Sequence, residues 1–467
     1  MLRAPLPRLL LAAVPPLRVL ARPELGEPGP PVPGGGFRRG FAAMEHRNYR
    51  LYFIGQVISL VGTWMQSVSL PWLVLLLGGS PIALGTVLAL QFLPATFLAP
   101  LGGVLADRID KRKALMITQV GAMIEAGILF WLTFSGVIEI WQIMLLAVFR
   151  GLISAVDMPV RQSFAAELVP PRDLVNAIAL NSASFNAARV VGPAVAGVTL
   201  ALWGPAFNFG LNAVSFLAVL VGLAMIVPSA LHRAVRPERF ASVRTSLAEG
   251  LRYARQTPTV LWPLVLLGGM ATFAMNFQTL LPLYARNTLG MGAEGYGALF
   301  AAMGAGSLAG SLSLAFMGSK RPLLRLILLG GGAFIVLEVI FSLVRTPIPA
   351  YLVILGLGFA SMMMVNTINV IIQNSVSNEL RGRVMSLYVT VFAGSAPLGG
   401  FFAGAVAEVW GAPAGFLLGA LLSSAFLALV AWQLGVRAPR IPHVTRSPRA
   451  VPAASDDGDP PIAASAG

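Results

Sequence analysis

Long apolar runs follow one another through most of the chain, parted by short stretches where arginine, lysine, aspartate, glycine and proline collect. Twelve runs are read, over 51–77, 82–105, 114–135, 140–161, 176–202, 206–228, 259–285, 293–317, 323–344, 348–374, 384–408 and 413–435. As a helix, about 20 apolar residues cross the hydrocarbon core of a bilayer, and longer runs cross it tilted. The widest polar interval between runs, Pro228 to Pro258, carries Arg233, Arg236, Arg239, Arg244, Arg252 and Arg255. Within it, Ser246 to Arg255 has helical spacing and one polar face, which predicts a helix lying along the membrane surface. Residues 1–43 are rich in proline, arginine and glycine, and their one apolar stretch, Leu9 to Val14, is short and lacks a signal-peptide cleavage pattern. A disordered cytoplasmic tail is expected there, with Met1 and Met44 both open as translation starts. Residues 437–467 read as a second disordered tail, acidic at Asp456, Asp457 and Asp459.

Composition turns that pattern into an exclusion. Of 467 residues, 56% are hydrophobic and only 11% charged, against about 25% charged in soluble domains. A soluble multidomain enzyme is excluded, because a folded surface needs charge to stay dispersed. There is no cysteine, and the three histidines, His46, His232 and His443, lie outside the apolar runs. That removes thiolate chemistry and a buried imidazole metal site, so neither metal nor cofactor is expected. The net charge of +14 raises nucleic acid as a partner, but the placement of the charge answers otherwise. Twelve crossings put both termini on one side, and that side receives 29 of the 33 Lys and Arg residues; Arg286 and Arg345 fall opposite, and Arg150 and Arg189 inside runs. By the positive-inside rule the termini, the central interval and the even-to-odd loops are cytoplasmic.

The two halves of the chain echo each other. Leu70-Pro71 matches Leu281-Pro282 at an offset of 211 residues, and Gly85 matches Gly297 at an offset of 212. Gly192-Pro193 and Gly197 find a counterpart in Ala396-Pro397-Leu398-Gly399-Gly400. The expected architecture is an all-α membrane protein of twelve transmembrane helices in two pseudo-symmetric six-helix bundles. The units are a tail (1–43), an N-terminal bundle (44–228), a cytoplasmic linker with its amphipathic helix (229–258), a C-terminal bundle (259–436) and a tail (437–467). Parallel repeats of this kind suit a transporter whose substrate path runs between the halves near the midplane. Ionisable residues inside apolar runs default to function: Glu125, Arg150, Asp157, Arg189 and Glu338 qualify. A carboxylate in apolar surroundings can load and release a proton near neutral pH, so Glu125, Arg150 and Glu338 are the proton-coupling candidates. A structural hydrogen bond is the alternative for Glu125, an interfacial position for Glu338, and ion pairing with Arg161 for Asp157. On the first run Gln56, Ser59, Thr63 and Gln66 are spaced three, four and three apart, which puts them on one side of a helix.

The stretch from Gly103 through Val104-Leu105-Ala106-Asp107-Arg108 to Asp110-Lys111-Arg112-Lys113 resembles the signature loop of the major facilitator superfamily, with Asp110 where glycine is usual. The resemblance extends through Phe149-Arg150-Gly151 to Asp157-Met158-Pro159 and Arg189-Val190-Val191-Gly192-Pro193, and covers residues 44–436. Within the superfamily the chain is most similar to exporters of the enterobactin exporter and transmembrane secretion effector group. That resemblance implies the major facilitator fold and a conformational latch of Gly103, Asp107, Arg108, Lys111, Arg112 and Asp157, with Asp107 facing the start of the eleventh span and Arg112 reaching toward Asp157. It implies that spans one, four, seven and ten line the cavity, making Gln56, Thr63, Gln66, Asn276, Asn366 and Asn369 substrate candidates. Gly192, Pro193 and Gly197 are similar to a shortened antiporter motif, the glycines permitting close helix packing and the proline a bend.

The function that follows is a secondary active transporter, not an enzyme, exporting drug-like or siderophore-like small molecules across the cell inner membrane by alternating access with proton antiport. Its expected partners are a small-molecule substrate, protons and the lipid bilayer, with no nucleic acid, and it is expected to be a monomer. The alternatives are an uncoupled or importing facilitator of the same fold, and a non-transporting receptor or scaffold. No nucleotide-binding glycine loop is present for ATP-driven pumping.

Overall fold

The computed structural model describes residues 40–232, 243–317 and 323–437, with side chains set aside over 99–108, 243–247, 378–379 and 436–437. Residues 1–39 and 438–467 of the expected disordered tails, residues 233–242 of the arginine-rich linker and the loop Gly318 to Pro322 fall outside it, whereas the end of the first tail is ordered, the Ala43 amide donating to Asn176 Oδ1 at 2.9 Å. Among the described residues all regular structure is helical. The apolar runs become α1 (Arg47–Leu76), α2 (Pro81–Arg108), α3 (Lys111–Phe134) and α4 (Ile140–Glu167). Leu174–Ala224 follows as two helices joined at Gly204, α5 (174–203) and α6 (205–224). After the linker helix α7 (Val243–Gln256) come α8 (Pro258–Phe273), α9 (Phe277–Asn287), α10 (Ala293–Phe316), α11 (Leu323–Leu343) and α12 (Pro347–Ser375). Asn378–Arg437 is again two helices, α13 (378–410) and α14 (412–437), joined at Gly411.

The two internal junctions have one cause. Gly204 and Gly411 take φ of 76° and 82°, a region that a Cβ makes costly and glycine enters freely. Pro205 follows directly in one case and Pro413 two residues on in the other, each suited to the first turn of the next helix, where its missing N–H is not needed. Helical backbone continues through Pro193, within the fifth run, and ends at Gly204, in the interval between the fifth and sixth runs. A second departure lies in the seventh run: 259–285 is not one helix but α8 and α9, interrupted at Ala274 to Asn276.

Ten stretches among the described residues are long and apolar enough to cross a membrane; two of them, Pro171–Ala224 and Leu380–Gly435, run to 54 and 56 residues. Their outward surfaces suit lipid. Ile117, Leu145, Val214, Leu329 and Leu352 are all exposed, and exposed tryptophans stand near helix ends at Trp131, Trp141, Trp203, Trp410 and Trp432, the positions where amphipathic rings mark a membrane interface. Inside, glycines let helices approach. In the N-terminal half Gly55 and Gly222 bring α1 against α6, and Gly151 brings α4 against α2; in the C-terminal half Gly306, Gly310 and Gly358 join α10 to α12, and Gly419 joins α14 to α8. The linker helix docks by its Tyr253 hydroxyl, which donates to the Ser375 carbonyl at 2.9 Å, and by an ion pair between Glu249 and Arg383.

Candidate functional site

The halves of the chain meet chiefly toward one end, marked by Gly78 between α1 and α2. There the Trp72 and Tyr296 rings stack at 5.4 Å. Arg286 donates to the Leu75 carbonyl at the end of α1 (2.7 Å), and Glu408 accepts from the Ile82 amide at the start of α2 (3.1 Å). Each ion thus sits at the helix end whose partial charge it complements. Deeper in, repeat-related glycines make paired crossings: Gly85 of α2 lies on Gly400 and Gly404 of α13, while Gly197 of α5 lies on Gly297 of α10. Pro193 and Gly192 belong to the same strip of α5; the Pro193 carbonyl faces Gly297, and Gly192 packs on Trp64.

Toward the opposite end, which carries Asp110, a cavity of about 520 Å³ opens along the N-terminal half. Tyr52, Gln56, Arg161, Asn181, Phe185 and Asn186 are among its lining residues. Its polar walls come from α1, α4 and α5. Gln56 lines this cavity, and among the described residues its enclosed Oε1 has no hydrogen-bond partner. Gln66 does not line it. Ten residues of helix carry it about 80° short of three full turns from Gln56, and it is buried inside the N-terminal half. Its Nε2 donates to both oxygens of Glu125, at 2.9 and 3.1 Å, and its Oε1 accepts from Asn212 at 2.6 Å. Ser215 completes the chain by donating to Asn212 Oδ1. Glu125 on α3 thus ends a buried line of polar side chains running through α1 to α6. Asn212 and Ser215 were legible as polar positions three apart in an apolar run, yet they are absent from the sequence-derived candidates. Thr63 is half-buried one turn from Gln66.

Arg150 on α4 lies over the Phe216 ring at 5.7 Å. Asp157 is fully engaged: it accepts from Thr118 (2.6 Å), Gln119 (2.8 Å) and both Nε and Nη2 of Arg161 (2.9 and 2.6 Å). Arg112 does not reach it. The guanidinium donates instead to the carbonyls of Leu223 and Ala224, at 2.6 and 2.8 Å, where the C-terminus of α6 offers unpaired acceptors. Lys111 pairs with Glu167 at 2.5 Å. Gly103, Asp107 and Arg108 lie on the last turns of α2, not in a loop, and the side chains there are outside the described residues. Asp110 is the N-cap of α3: at φ −68° it accepts from the Lys113 amide, so the turn has no need of the usual glycine.

In the C-terminal half Glu338 is fully buried, not interfacial, and among the described residues neither of its oxygens has a hydrogen-bond partner. The face it shares with Gly331 and Phe341 is turned to α14, through Leu427 and Phe416. Asn276 caps the break before α9, donates to the Thr272 carbonyl at 2.8 Å and packs on Gly399; it is held within its own half. Asn366 donates to Ser311 at 3.0 Å, and Asn369 accepts from Gln373 at 2.5 Å; both are half-buried on α12.

Apolar helices long enough to cross a bilayer, a cavity beside the meeting of two halves and buried charges at membrane depth together define a membrane transporter. The sequence profile of the transmembrane secretion effector family matches residues 38–453. The chain belongs to that family, within the major facilitator transporters. It is 27% identical to the staphyloferrin A transporter of Staphylococcus aureus (strain NCTC 8325 / PS 47) over 371 residues, 78% of this chain and 90% of that one. It is also 27% identical to the enterobactin exporter EntS of Escherichia coli O1:K1 / APEC over 412 residues, 86% and 96% of the two chains. Among solved structures, a POT family transporter in complex with 5-aminolevulinic acid superposes with a TM-score of 0.66 at 13% identity, over 84% of this chain and 97% of that one. A bacterial homolog of the human lysosomal transporter Spinster, inward-facing and unoccupied, gives 0.65 at 15%, over 85% and 96%. These two likenesses concern the fold alone. The family's members are transporters, not enzymes, and this chain is a multi-pass membrane protein that moves small molecules.

Proposed function

We propose that the chain is a secondary active exporter of siderophore-like or drug-like small molecules, working by alternating access and driven by proton antiport. The carrying observation is the asymmetry between the two ends: the halves touch at Trp72–Tyr296, Leu75–Arg286, Ile82–Glu408 and the glycine crossings, whereas a polar cavity opens toward Asp110. On this reading the Gly78 end is the closed outer gate, and the cavity opens to the cytoplasm, where an export substrate loads. Both termini are cytoplasmic. Pro171–Ala224 and Leu380–Gly435 reach roughly 80 Å each at about 1.5 Å per residue, over twice the bilayer core, so each makes two crossings and the total is twelve. Two six-helix bundles, 44–228 and 259–436, then rock about the glycine crossings, and the molecule works as a monomer. The Gly103–Asp107–Arg108 segment, with Lys111, Arg112 and Asp157, serves as the latch of the cytoplasmic side.

Glu125 is the proton-coupling residue in this scheme. It is the intramembrane carboxylate that accepts a hydrogen bond from the neighbouring α1, through Gln66. Rocking of the C-terminal bundle away from the N-terminal one changes the water and charge near this half, and so the affinity of Glu125 for a proton. Reconstituted into proteoliposomes, the protein is expected to carry a siderophore-like substrate against its gradient when a proton gradient is imposed. Flux that ignores the gradient would remove antiport and leave a facilitator.

A further inference from the structure

Among the described residues, the charges set at membrane depth in the N-terminal half balance except for one. Glu125 and Asp157 stand against Arg150 and Arg161, the pair Asp157 and Arg161 in direct contact at 2.6 Å. Arg189, near the middle of α5, is the remainder. Among the described residues it has no carboxylate partner: its Nη1 reaches the Met362 thioether at 3.8 Å, a weak acceptor, and its Nε is enclosed with no acceptor at all. A guanidinium at membrane depth is expensive and is retained where it pairs or where it serves a pathway. We propose that Arg189 is the anion-recognition point of the transport site, and that the substrate it receives is an organic carboxylate with a flat unsaturated body.

Its placement supports this. Arg189 sits where the two halves part: its carbonyl packs on Gly304 of α10, and its side chain reaches Met362 of α12. From there α5 runs toward the Asp110 end through Asn186, Phe185, Ser182 and Asn181, all of them cavity-lining. The guanidinium lies 5.9 Å from the Trp64 ring centre, and Trp64 meets the Phe185 ring edge-on at 5.7 Å. Phe185 is 46% exposed and lines the cavity; Trp64 stands behind it, with the Arg189 guanidinium over the Trp64 ring, one step beyond the cavity wall. A planar five-donor fork matches a carboxylate in two-point contact, and the rings offer a stacking surface for the rest of the molecule. A neutral substrate would leave the charge as unsatisfied as it is now. The proposal rests on the transporter reading, since it assigns the substrate class of that same cavity.

The test uses the full chain, purified in detergent, and a matched pair of tryptophan-quenching probes, 4-nitrobenzoate and the neutral 4-nitrobenzamide. The expected result is saturable quenching by the carboxylate that disappears in Trp64→Phe. Its midpoint should be about tenfold or more weaker in Arg189→Gln, the usual loss for a charged hydrogen bond, and partly restored in Arg189→Lys. The amide should bind the unaltered chain at least as poorly as the carboxylate binds Arg189→Gln. Equal midpoints for the two probes in the unaltered chain would overturn the proposal; this comparison needs no variant and holds if Arg189→Gln does not fold. An Arg189→Gln chain that keeps the original midpoint would overturn it too, leaving Arg189 as a brace for Trp64. Transport separates the two claims: unchanged export of an anionic substrate by Arg189→Gln proteoliposomes sinks the anion site alone, whereas no flux of any compound through the unaltered chain sinks the transporter reading.

Discussion

Replacing Gly297 by alanine tests whether the glycine crossing sets the balance between the two ends. A methyl group on Gly297 would lie 2.7 Å from the Gly197 nitrogen and 2.8 Å from the Pro193 carbonyl oxygen, where ordinary contact begins at 3.4 Å. All the atoms it meets are backbone, the Gly197 Cα nearest of all, so no side chain can turn aside, and α5 and α10 must separate by about 1 Å. Overpacking of this kind costs about 1–3 kcal/mol, and the helix preference of alanine over glycine cancels because Gly297 is helical whichever end is closed. The equilibrium therefore shifts by about five- to 150-fold against the conformation in which the Gly78 end is closed. Because the chain has no cysteine, Val137→Cys and Ile348→Cys can carry a spin-label pair across that end; both positions are exposed. Pulsed electron-spin distance measurements should show the longer-distance population rising in Gly297→Ala. Gly127→Ala is the control, since nothing lies within 4 Å of its added methyl. Identical distance distributions in Gly297→Ala and the parent, or an equal shift in Gly127→Ala, would refute the reasoning.

Other substitutions probe the remaining parts. Glu125→Gln keeps an acceptor for Gln66 but no titrating proton, so substrate flux in proteoliposomes should lose its response to an imposed pH gradient; a response of parental size would remove Glu125 from coupling. Gln66→Ala strands a buried carboxylate and the Asn212 amide, and should lower stability by about 1–3 kcal/mol, read as a fall in the midpoint of thermal unfolding in detergent. Arg286→Ala and Glu408→Gln each remove a helix-end contact worth about 0.3–1 kcal/mol; each should shift the same label pair toward longer distances by about two- to fivefold in population. Asp110→Ala deletes the cap of α3 and should cost about 1 kcal/mol, visible as faster hydrogen exchange at Lys113, with Asp110→Asn close to the parent.

The helices were legible because the apolar runs are long and their breaks are marked by glycine, proline and charge. Gly204 and Gly411 stand in the breaks between runs and prove to be the junctions themselves. The interruption at Ala274 to Asn276 was hidden, since Met275 and its neighbours keep the run apolar and only the backbone reveals the break. Site residues were harder because a polar residue on an amphipathic face does not announce which neighbour it faces. Gln56 and Gln66 read alike in sequence, yet the mismatch between their spacing and the helical period sends one to the cavity and the other to Glu125. Arg112 was read toward a carboxylate because charge attracts charge, but the carbonyls closing α6 were nearer and lack partners of their own. Arg286 and Glu408 could not be found from sequence, because the atoms they contact are backbone.

That last pair bears on how such a gate can open at all. A transporter must leave its closed state often, so the contacts holding it closed cannot be worth more than binding of substrate or proton can offset. Arg286 and Glu408 meet helix termini rather than each other. On separation, each ion and each helix end is exposed at an aqueous edge, where water replaces the lost bond and the net loss stays near that of a surface contact. The glycine crossings behave alike in one respect: they hold by close backbone contact, with no buried polar group to strand when they part. The charges that would be costly to expose, Asp157 with Arg161 and Glu125 with Gln66, lie inside the N-terminal half, so the proposed rocking would carry them with it. Arg189 is the exception, half-buried at the boundary itself, its Nε enclosed without an acceptor among the described residues. A charge whose satisfaction depends on an added ligand lets ligand binding bear on the position of the halves, which is the coupling between occupancy and gate that alternating access requires.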